Sequence, residues 1–182
     1  MKRMMALVGA LLAGAMLWAS PRKVLVTYYS ATGSTKAVAE KIAEETGADL
    51  FAIEPRNAYS SRDLDWRNRR SRVVREHDDP DLRSEALKIV TPRDFASYDV
   101  VFIGYPIWWQ DASWVVDGFV KGNDFTGKTV IPFCTSLASP IGESGGHLAR
   151  MAKGGDWLQG ARFTRSTGLS EIRQWIDTLP LD

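Results

Sequence analysis

Two short stretches of the chain combine glycine with hydroxyl and amine side chains that can hold a phosphate group. Residues 122–129, GNDFTGKT, match the G-x-x-x-x-G-K-[ST] pattern of a nucleotide-binding loop. Residues 28–35, YYSATGST, contain one glycine and match no nucleotide pattern. A phosphate loop follows a strand and opens a helix, because the free N–H groups of that helix then point at the phosphate. The elements on either side of each stretch therefore decide between them.

Apolar runs alternate with amphipathic helical patterns after residue 21. The predicted strands are 23–29, 49–54, 99–106, 129–135 and 157–164. The predicted helices are 33–46, 84–98 with a break at Pro92, 113–120, 144–153 and 170–179. This alternation predicts an α/β fold in which helices cover both faces of a parallel sheet. Such sheets bind ligands at the carboxyl ends of their strands, so the loops after strands one, three and four should carry the function.

The surroundings of the two stretches favour the less conspicuous one. The stretch 122–129 leaves a helix near Lys121 and enters a strand at Thr129, so it is predicted to be a turn at the opposite, amino edge of the sheet. The stretch 28–35 follows the first strand and opens the first helix, and it places four hydroxyls among the free N–H groups there. A serine- and threonine-rich helix start can also simply cap itself, so this stretch alone leaves both interpretations open.

The loops after strands three and four add an aromatic wall and a small polar segment. Strand three ends in GYPIWWQ, and two adjacent tryptophans in an extended chain cannot both point inward. Strand four ends in CTSLASPIG, which is small and rich in hydroxyls. A phosphate cradle, an aromatic wall and a small polar loop together suit a planar heteroaromatic ligand that carries one phosphate.

With these motifs the chain resembles the flavodoxin-like FMN proteins, notably the group with SATGNT after strand one and PIWW after strand three. The resemblance runs from Lys23 to the C-terminus and includes DLFAIEP, YDVVFIGYPIWW and FTGKTVIPF. It implies a flavodoxin-like three-layer sandwich with a five-stranded parallel sheet in the order 2-1-3-4-5. It also implies a non-covalently bound FMN as the cofactor.

The resemblance assigns three groups of residues to FMN. The phosphate would be held by Ser30, Ala31, Thr32, Gly33, Ser34 and Thr35. The isoalloxazine would lie beside Pro106, Ile107, Trp108 and Trp109. Its other edge would follow Thr135, Ser136, Leu137, Ala138 and Ser139. Leu137 and Ala138 stand where the group usually has two glycines, so their side chains are expected to crowd this loop.

Two functions follow from the resemblance. The first is an electron carrier that binds FMN and serves a redox partner protein. The alternative is an FMN-dependent NAD(P)H oxidoreductase of the quinone-reductase type, in which Arg67, Arg69, Arg70 or Arg72 would recognise a nucleotide phosphate. These arginines lie in the connection 55–85, which holds eight arginines and seven acidic residues and is predicted to be a solvated segment with locally paired charges. The flavin supplies the redox chemistry in either case, so no catalytic side chain is predicted.

Composition excludes several other classes. A length of 182 residues suits one domain, and a net charge of +1 argues against a general nucleic-acid-binding protein. The single cysteine, Cys134, cannot form an internal disulfide and is predicted to be a small buried residue. His77 and His147 do not have the spacing of metal ligands, so they are predicted to be surface or structural residues and no metal site is expected.

The N-terminus carries a targeting pattern. Lys2 and Arg3 precede an apolar or small run from residue 4 to residue 19, which is typical of a secretory signal peptide and short for a membrane-spanning helix. We therefore expect residues 1–20 to be a signal peptide or membrane-targeting segment, residues 21–182 to form the FMN-binding domain, and the protein to be exported. The alternative is a cytoplasmic protein whose true start is Met4, Met5 or Met16.

Overall fold

The computed structural model describes residues 22–84 and 86–181, so the predicted targeting segment 1–20 lies outside the described residues. The strands are β1 Val24–Tyr28, β2 Asp49–Ala52, β3 Val100–Trp108, β4 Asp111–Ala112, β5 Thr129–Thr135, β6 Asp156–Trp157 and β7 Ala161–Phe163. The helices are α1 Ser34–Thr46, α2 Arg72–Asp78, α3 Asp117–Gly122, α4 Ser144–Met151 and α5 Leu169–Ile176. Among these helices none is long and apolar enough to cross a membrane.

The sheet has the predicted parallel order, with one difference in strand number. β2, β1, β3 and β5 are neighbours in that order, and both β6 and β7 pair in parallel with β5 at the fifth position. The expected fifth strand is therefore two short strands. Gly160 lies in the break, where a Cβ would stand 2.1 Å from the Pro132 carbonyl oxygen, so the chain approaches β5 closely there. With β4, which pairs antiparallel with β3, the sheet has seven strands rather than five.

Helices cover both faces of the sheet, which confirms the predicted three-layer architecture. Val101 and Ile103 of β3 pack on the face that also buries Phe119 of α3 and Leu148 of α4. The intervening β3 residue, Phe102, packs on the opposite face with α1 and α5. This alternation follows from the two-residue period of a strand, and it explains why β3 is a continuous apolar run.

Two predicted segments differ from the structure. The predicted helix 84–98 is not observed in the described part of this segment, residues 84 and 86–98, which holds a short 3₁₀ turn, Phe95–Ser97, after Pro92. Its backbone instead bonds beside β2, since the Lys88 N–H donates to the Glu54 carbonyl. The connection 55–85, predicted to be solvated, contains α2, whose Val73 side chain is buried. Backbone bonding beside β2 takes the place of the helix in the first case, and tertiary packing orders a polar sequence in the second.

Candidate functional site

The loops that follow β1 and β5 meet at the carboxyl edge of the sheet. The Thr35 and Thr135 hydroxyl oxygens lie 2.8 Å apart in a buried hydrogen bond between residues one hundred positions apart in sequence. β1 and β3 are neighbours in the sheet, and so are β3 and β5. The three predicted site segments therefore lie at one edge, as parallel strands require.

The N-terminus of α1 leaves polar groups available in the first of these loops. Gly33 occupies the N-cap position with φ 87°, and it provides no side-chain cap. The Ser30 hydroxyl accepts from the Lys36 N–H at 3.1 Å, which satisfies one amide of the first turn. The Ser34 and Thr35 N–H groups have no intrahelical acceptor, because they belong to the first turn of the helix. This helix start is therefore only partly self-capped and presents an anion-binding geometry.

Trp108 forms the wall of the site and is fixed by three other aromatic rings. Its ring meets Tyr29, Tyr59 and Trp114 edge-on, with centroid distances of 5.9, 5.3 and 4.7 Å. Edge-to-face pairs of this kind add specific orientation to hydrophobic burial. The orientation of Trp108 is therefore set by residues from the loop after β1, from the connection 55–85 and from the segment before α3.

Trp109 lies in a strained turn directly after this wall. Trp109 and Gln110 are the two loop residues of the β3–β4 hairpin, and both are left-handed, with φ 47° and 66°. Two-residue hairpin turns of this type favour asparagine and glycine, because other side chains crowd the backbone there. The Trp109 ring stacks on His77, with centroids 4.2 Å apart and an interplanar angle of 11°. Backbone strain of this kind is concentrated at functional sites.

A buried carboxylate supports the aromatic wall from behind. Glu76 of α2 is 3% exposed, and its carboxylate accepts from the Trp114 indole N–H at 2.9 Å and the Arg72 Nε at 2.6 Å. The Tyr59 hydroxyl donates to the same carboxylate. Burial and then this hydrogen bond raise the pKa of Tyr59. Two of the three rings around Trp108 are thus held by Glu76.

The sequence prediction missed this support. The Arg72–Glu76 pair has i,i+4 spacing, and the intervening Val73 and Val74 are buried, which is the pattern of a short amphipathic helix. The surrounding excess of charged residues obscured that signal. His77, which also lies in this helix, has the predicted structural role because it stacks on Trp109.

The third loop turns back on itself at the mouth of the site. The Ser136 hydroxyl donates to the Ser139 carbonyl, which closes the loop. Leu137 is 99% exposed and Ala138 is also exposed. Both side chains also line the cleft described next, so their expected crowding of this loop stays a prediction.

An uncharged cleft of about 470 Å³ lies between the aromatic wall and the third loop. Its lining residues are Leu64, Trp66, Val73, Ile107, Trp108, Trp109, Ser136, Leu137, Ala138 and Ser139. The volume lies within the usual range for small-molecule sites, and the mixture of aromatic walls with a few hydroxyls is typical of them. The second and third predicted segments thus share one cleft. The first loop lines a separate cleft of about 480 Å³ through Ser30, Ala31 and Gly33. Leu64, Trp66 and Val73 join it from the connection 55–85.

The competing stretch 122–129 lies at the other edge of the sheet, as predicted. α3 ends at Gly122 and β5 begins at Thr129, so the stretch is a helix-to-strand turn. Lys128 is 6% exposed, and its Nζ donates to the carbonyls of Ala96 at 3.1 Å and Tyr98 at 2.6 Å. Burial lowers the pKa of Lys128. Its ammonium group therefore hydrogen-bonds the backbone at this edge and is not available to a phosphate.

The remaining reactive side chains have structural environments. The His147 Nδ1 lies 2.7 Å from the Asp111 carboxylate in a half-exposed pair. Cys134 is buried, and burial raises the pKa of its thiol to about 12, so it is a poor nucleophile. Within residues 22–84 and 86–181, no group of three histidine, cysteine or acidic side chains is placed to bind a metal ion.

Comparison with known proteins agrees with this geometry. The flavodoxin family model matches residues 23–179. A candidate flavoprotein from Bacteroides eggerthii has 44% identity and a TM-score of 0.77, and the match covers 85% of this chain and 96% of that one. A second, from Bacteroides uniformis, has 36% identity and a TM-score of 0.79 over 87% of this chain and 100% of its own.

The same fold occurs in a flavoprotein from Lactobacillus acidophilus that was crystallised in complex with FMN. It is 22% identical, with a TM-score of 0.61, over 85% of this chain and 99% of its own. No curated protein matches the sequence.

Proposed function

Because the chain belongs to the flavodoxin family, whose cofactor is FMN, we propose that it binds FMN non-covalently and carries electrons for a redox partner. The observation that supports this most directly is that an anion-binding helix start and an uncharged aromatic cleft lie at the same edge of the sheet. These two features match the two chemical parts of FMN, which are a phosphate and a planar heteroaromatic ring.

The first loop fits a phosphate monoester. Thr32 is exposed, and the Ser34 and Thr35 N–H groups lack helical acceptors, so hydroxyls and amides are available to an anion. The positive end of the α1 dipole favours the negative charge without a lysine or arginine clamp. Residues 30–35 would hold the phosphate in this way.

The cleft fits the isoalloxazine. Trp108 offers an oriented ring, and residues 135–139 would follow the opposite edge of the flavin. When bound, FMN supplies the electron-transfer chemistry of the site. The part played by this chain is to bind the ring, to exclude water from one side of it and to fix its orientation through Trp108, Tyr59 and Glu76.

The arginines favour a carrier over an NAD(P)H oxidoreductase. Arg72 already pairs with Glu76, and its guanidinium lies 3.8 Å from the centroid of the Tyr59 ring. Arg67, Arg69 and Arg70 are exposed, and none of them lines the cleft beside the proposed flavin position. Recognition of a nucleotide phosphate requires donors that converge on a pocket, and these three side chains do not provide one.

FMN titration of the purified apoprotein, followed by the quenching of flavin fluorescence, tests the cofactor assignment. The Thr35→Val variant removes a buried hydroxyl of the phosphate loop, and we expect Kd to rise by at least about tenfold, equivalent to about 1.4 kcal/mol. Thr46→Val is the matched control, because the Thr46 hydroxyl bonds to the Ile42 carbonyl at the other end of α1. Equal effects of the two variants, or no quenching by the wild-type protein, would contradict the assignment.

Anaerobic addition of NADH or NADPH tests the carrier assignment. We expect the flavin absorbance of the FMN-loaded protein to persist for minutes, because Arg67, Arg69 and Arg70 do not line the cleft and Arg72 is paired with Glu76. Rapid bleaching by either nucleotide would instead identify an FMN-dependent NAD(P)H oxidoreductase.

A further inference from the structure

Three apolar side chains project into solvent around the mouth of the cleft. Leu137 is 99% exposed, Trp66 is 63% exposed and Trp109 is 41% exposed. All three also line the cleft, so they surround one opening, and we call these three residues the rim. Scattered apolar side chains are normal on a protein surface, but a clustered patch beside a binding site marks an interaction surface.

Arginines border this rim on both sides. Arg67, Arg69 and Arg70 follow Trp66 along the chain and are exposed, and the Arg67 guanidinium lies 4.7 Å from the centroid of the Trp66 ring. On the other side, exposed Arg162 donates to the Ser136 carbonyl at 3.2 Å. Within the described ranges, none of these four arginines forms an ion pair.

The nearby acidic residues do not offset this charge by ion pairing. The Asp63 carboxylate accepts from the N–H and the hydroxyl of Ser60, and the Asp65 carboxylate accepts from the Arg67 N–H. The whole chain has 23 basic and 22 acidic residues. The four arginines outnumber Asp63 and Asp65 beside the rim, so this face is positive although the whole chain is nearly neutral.

We propose that the rim is the docking surface for an acidic redox protein, an inference that rests on the proposed electron-carrier function. Tryptophan and arginine are the residues most enriched at the energetic centres of protein interfaces. Projecting arginines around an apolar patch complement a partner with an apolar centre and an acidic border, and they would steer its approach. Docking there places the partner over the open side of the cleft, where each transfer moves one electron between the flavin and the partner's redox centre.

Cytochrome c and its lysine-succinylated form test this proposal, because they share one haem fold and differ in the sign of their surface charge. The FMN-loaded protein is photoreduced and mixed with either ferric form in a stopped-flow instrument. Each ferric haem is reduced by one electron, and the flavin is oxidised by the same electron. At low ionic strength we expect the succinylated form to react about tenfold faster, and this advantage to disappear at high salt.

Matched charge reversals locate the effect on the molecule. The variant R67E/R70E should remove the preference for the succinylated form. The control R22E/R93E changes the net charge equally at exposed arginines near the amino edge, and should preserve most of the preference. Faster reaction with native cytochrome c, or equal effects of the two double variants, would overturn the proposal.

Two further measurements separate the possible failures. FMN binding by R67E/R70E, followed by fluorescence, should remain within about twofold of wild type. If the wild-type protein binds FMN but shows no preference for the succinylated form, docking at the rim is wrong and the cofactor assignment stands. Sedimentation of the wild type and Trp66→Ser tests self-association, and a dimer that this substitution dissociates would assign the rim to a second copy and overturn the proposal.

Discussion

The two edges of the sheet each contain a glycine- and threonine-rich loop and a buried charged side chain. At the amino edge the loop is 122–129 and the buried ion is Lys128. At the carboxyl edge the loop is 28–35 and the buried ion is Glu76, which lies behind the aromatic wall. Similar residue types thus occur at both edges, and only the amino edge matches a nucleotide-binding pattern.

The edges differ in where their polar groups are used. The Lys128 ammonium donates to two backbone carbonyls, so it closes a turn and has a structural role. Glu76 accepts from Arg72 and from two rings that surround Trp108, so it supports the wall of the site, while the Ser34 and Thr35 N–H groups of the first loop have no intrahelical acceptor. Hydrogen-bond donors that remain free beside a helix start therefore indicate a phosphate site better than a match to a sequence pattern does.

Glu76→Leu should produce the largest loss of stability, about 3–5 kcal/mol, because it leaves Arg72 as a largely buried charge without its partner. The Trp114 indole and the Tyr59 hydroxyl also lose their acceptor. Urea unfolding at neutral pH measures this loss. We expect weaker FMN binding as well, since Trp108 loses two oriented neighbours.

Glu40→Leu is the control for this change, because Lys36–Glu40 is an i,i+4 pair like Arg72–Glu76 but is about half exposed. An exposed pair contributes at most about 1 kcal/mol. If the two substitutions cost the same, Glu76 does not support the wall as described.

Lys128→Met should cost about 2–3 kcal/mol, because two buried carbonyls lose their donor. FMN affinity should stay within about twofold of wild type, since this residue lies at the opposite edge from the cleft. Lys153→Met is the control, because Lys153 pairs with Asp124 in the same region but is exposed. A tenfold loss of FMN affinity on changing Lys128 would restore the nucleotide-loop interpretation of 122–129.

The two ends of β5 should respond to alkali in opposite directions. Burial raises the pKa of the Cys134 thiol to about 12, so the unfolded chain releases this proton more readily than the folded protein does. As pH rises above 9 the thiol therefore favours the unfolded state, and the protein loses stability. Burial lowers the pKa of Lys128, so the cost of burying its charge falls as pH approaches its ordinary value of 10.5. The unfolding free energy should therefore fall less between pH 8 and pH 10.5 in Cys134→Ala than in wild type. We expect the fall to be smaller by about 2 kcal/mol. An unchanged difference would show that this thiol does not titrate differently on folding.

Gln110→Gly should have the smallest effect, a stabilisation of about 0.5–1 kcal/mol, because glycine adopts the left-handed conformation of this exposed turn without strain. Thermal unfolding in the presence and absence of FMN measures it. Trp109→Gly relieves similar strain but removes the stack on His77, so it should destabilise the protein. Stabilisation by both substitutions would mean that the stack does not hold the turn.

Much of the fold could be predicted from sequence because its signals are local. The runs 23–29, 99–106 and 129–135 were identified as strands from continuous β-branched and aromatic residues, and the structure places strands in all three. The flanking elements also identified 122–129 as a turn at the amino edge. The prediction of a helix over 84–98 was wrong, because the apolar pattern there reflects packing beside β2 and not helical periodicity.

The connection 55–85 shows what sequence could not provide. Its alternating charges have a low helical signal, so the burial of Glu76 and Arg72 could be recognised only when Tyr59 and Trp114 were placed beside them. The exposure of Leu137 likewise depends on how the closed third loop is oriented, which its residue types do not specify.

The sequence by itself determined the layers, the order of the elements and the edge at which the stretch 28–35 lies, because strand burial, helix starts and turns depend on neighbouring residues. Only the tertiary structure decided which side chains surround the cleft, how Trp108 and Trp109 are oriented and which arginines remain unpaired. These properties depend on contacts between residues distant in sequence, and such contacts satisfy or expose polar groups irrespective of the local pattern.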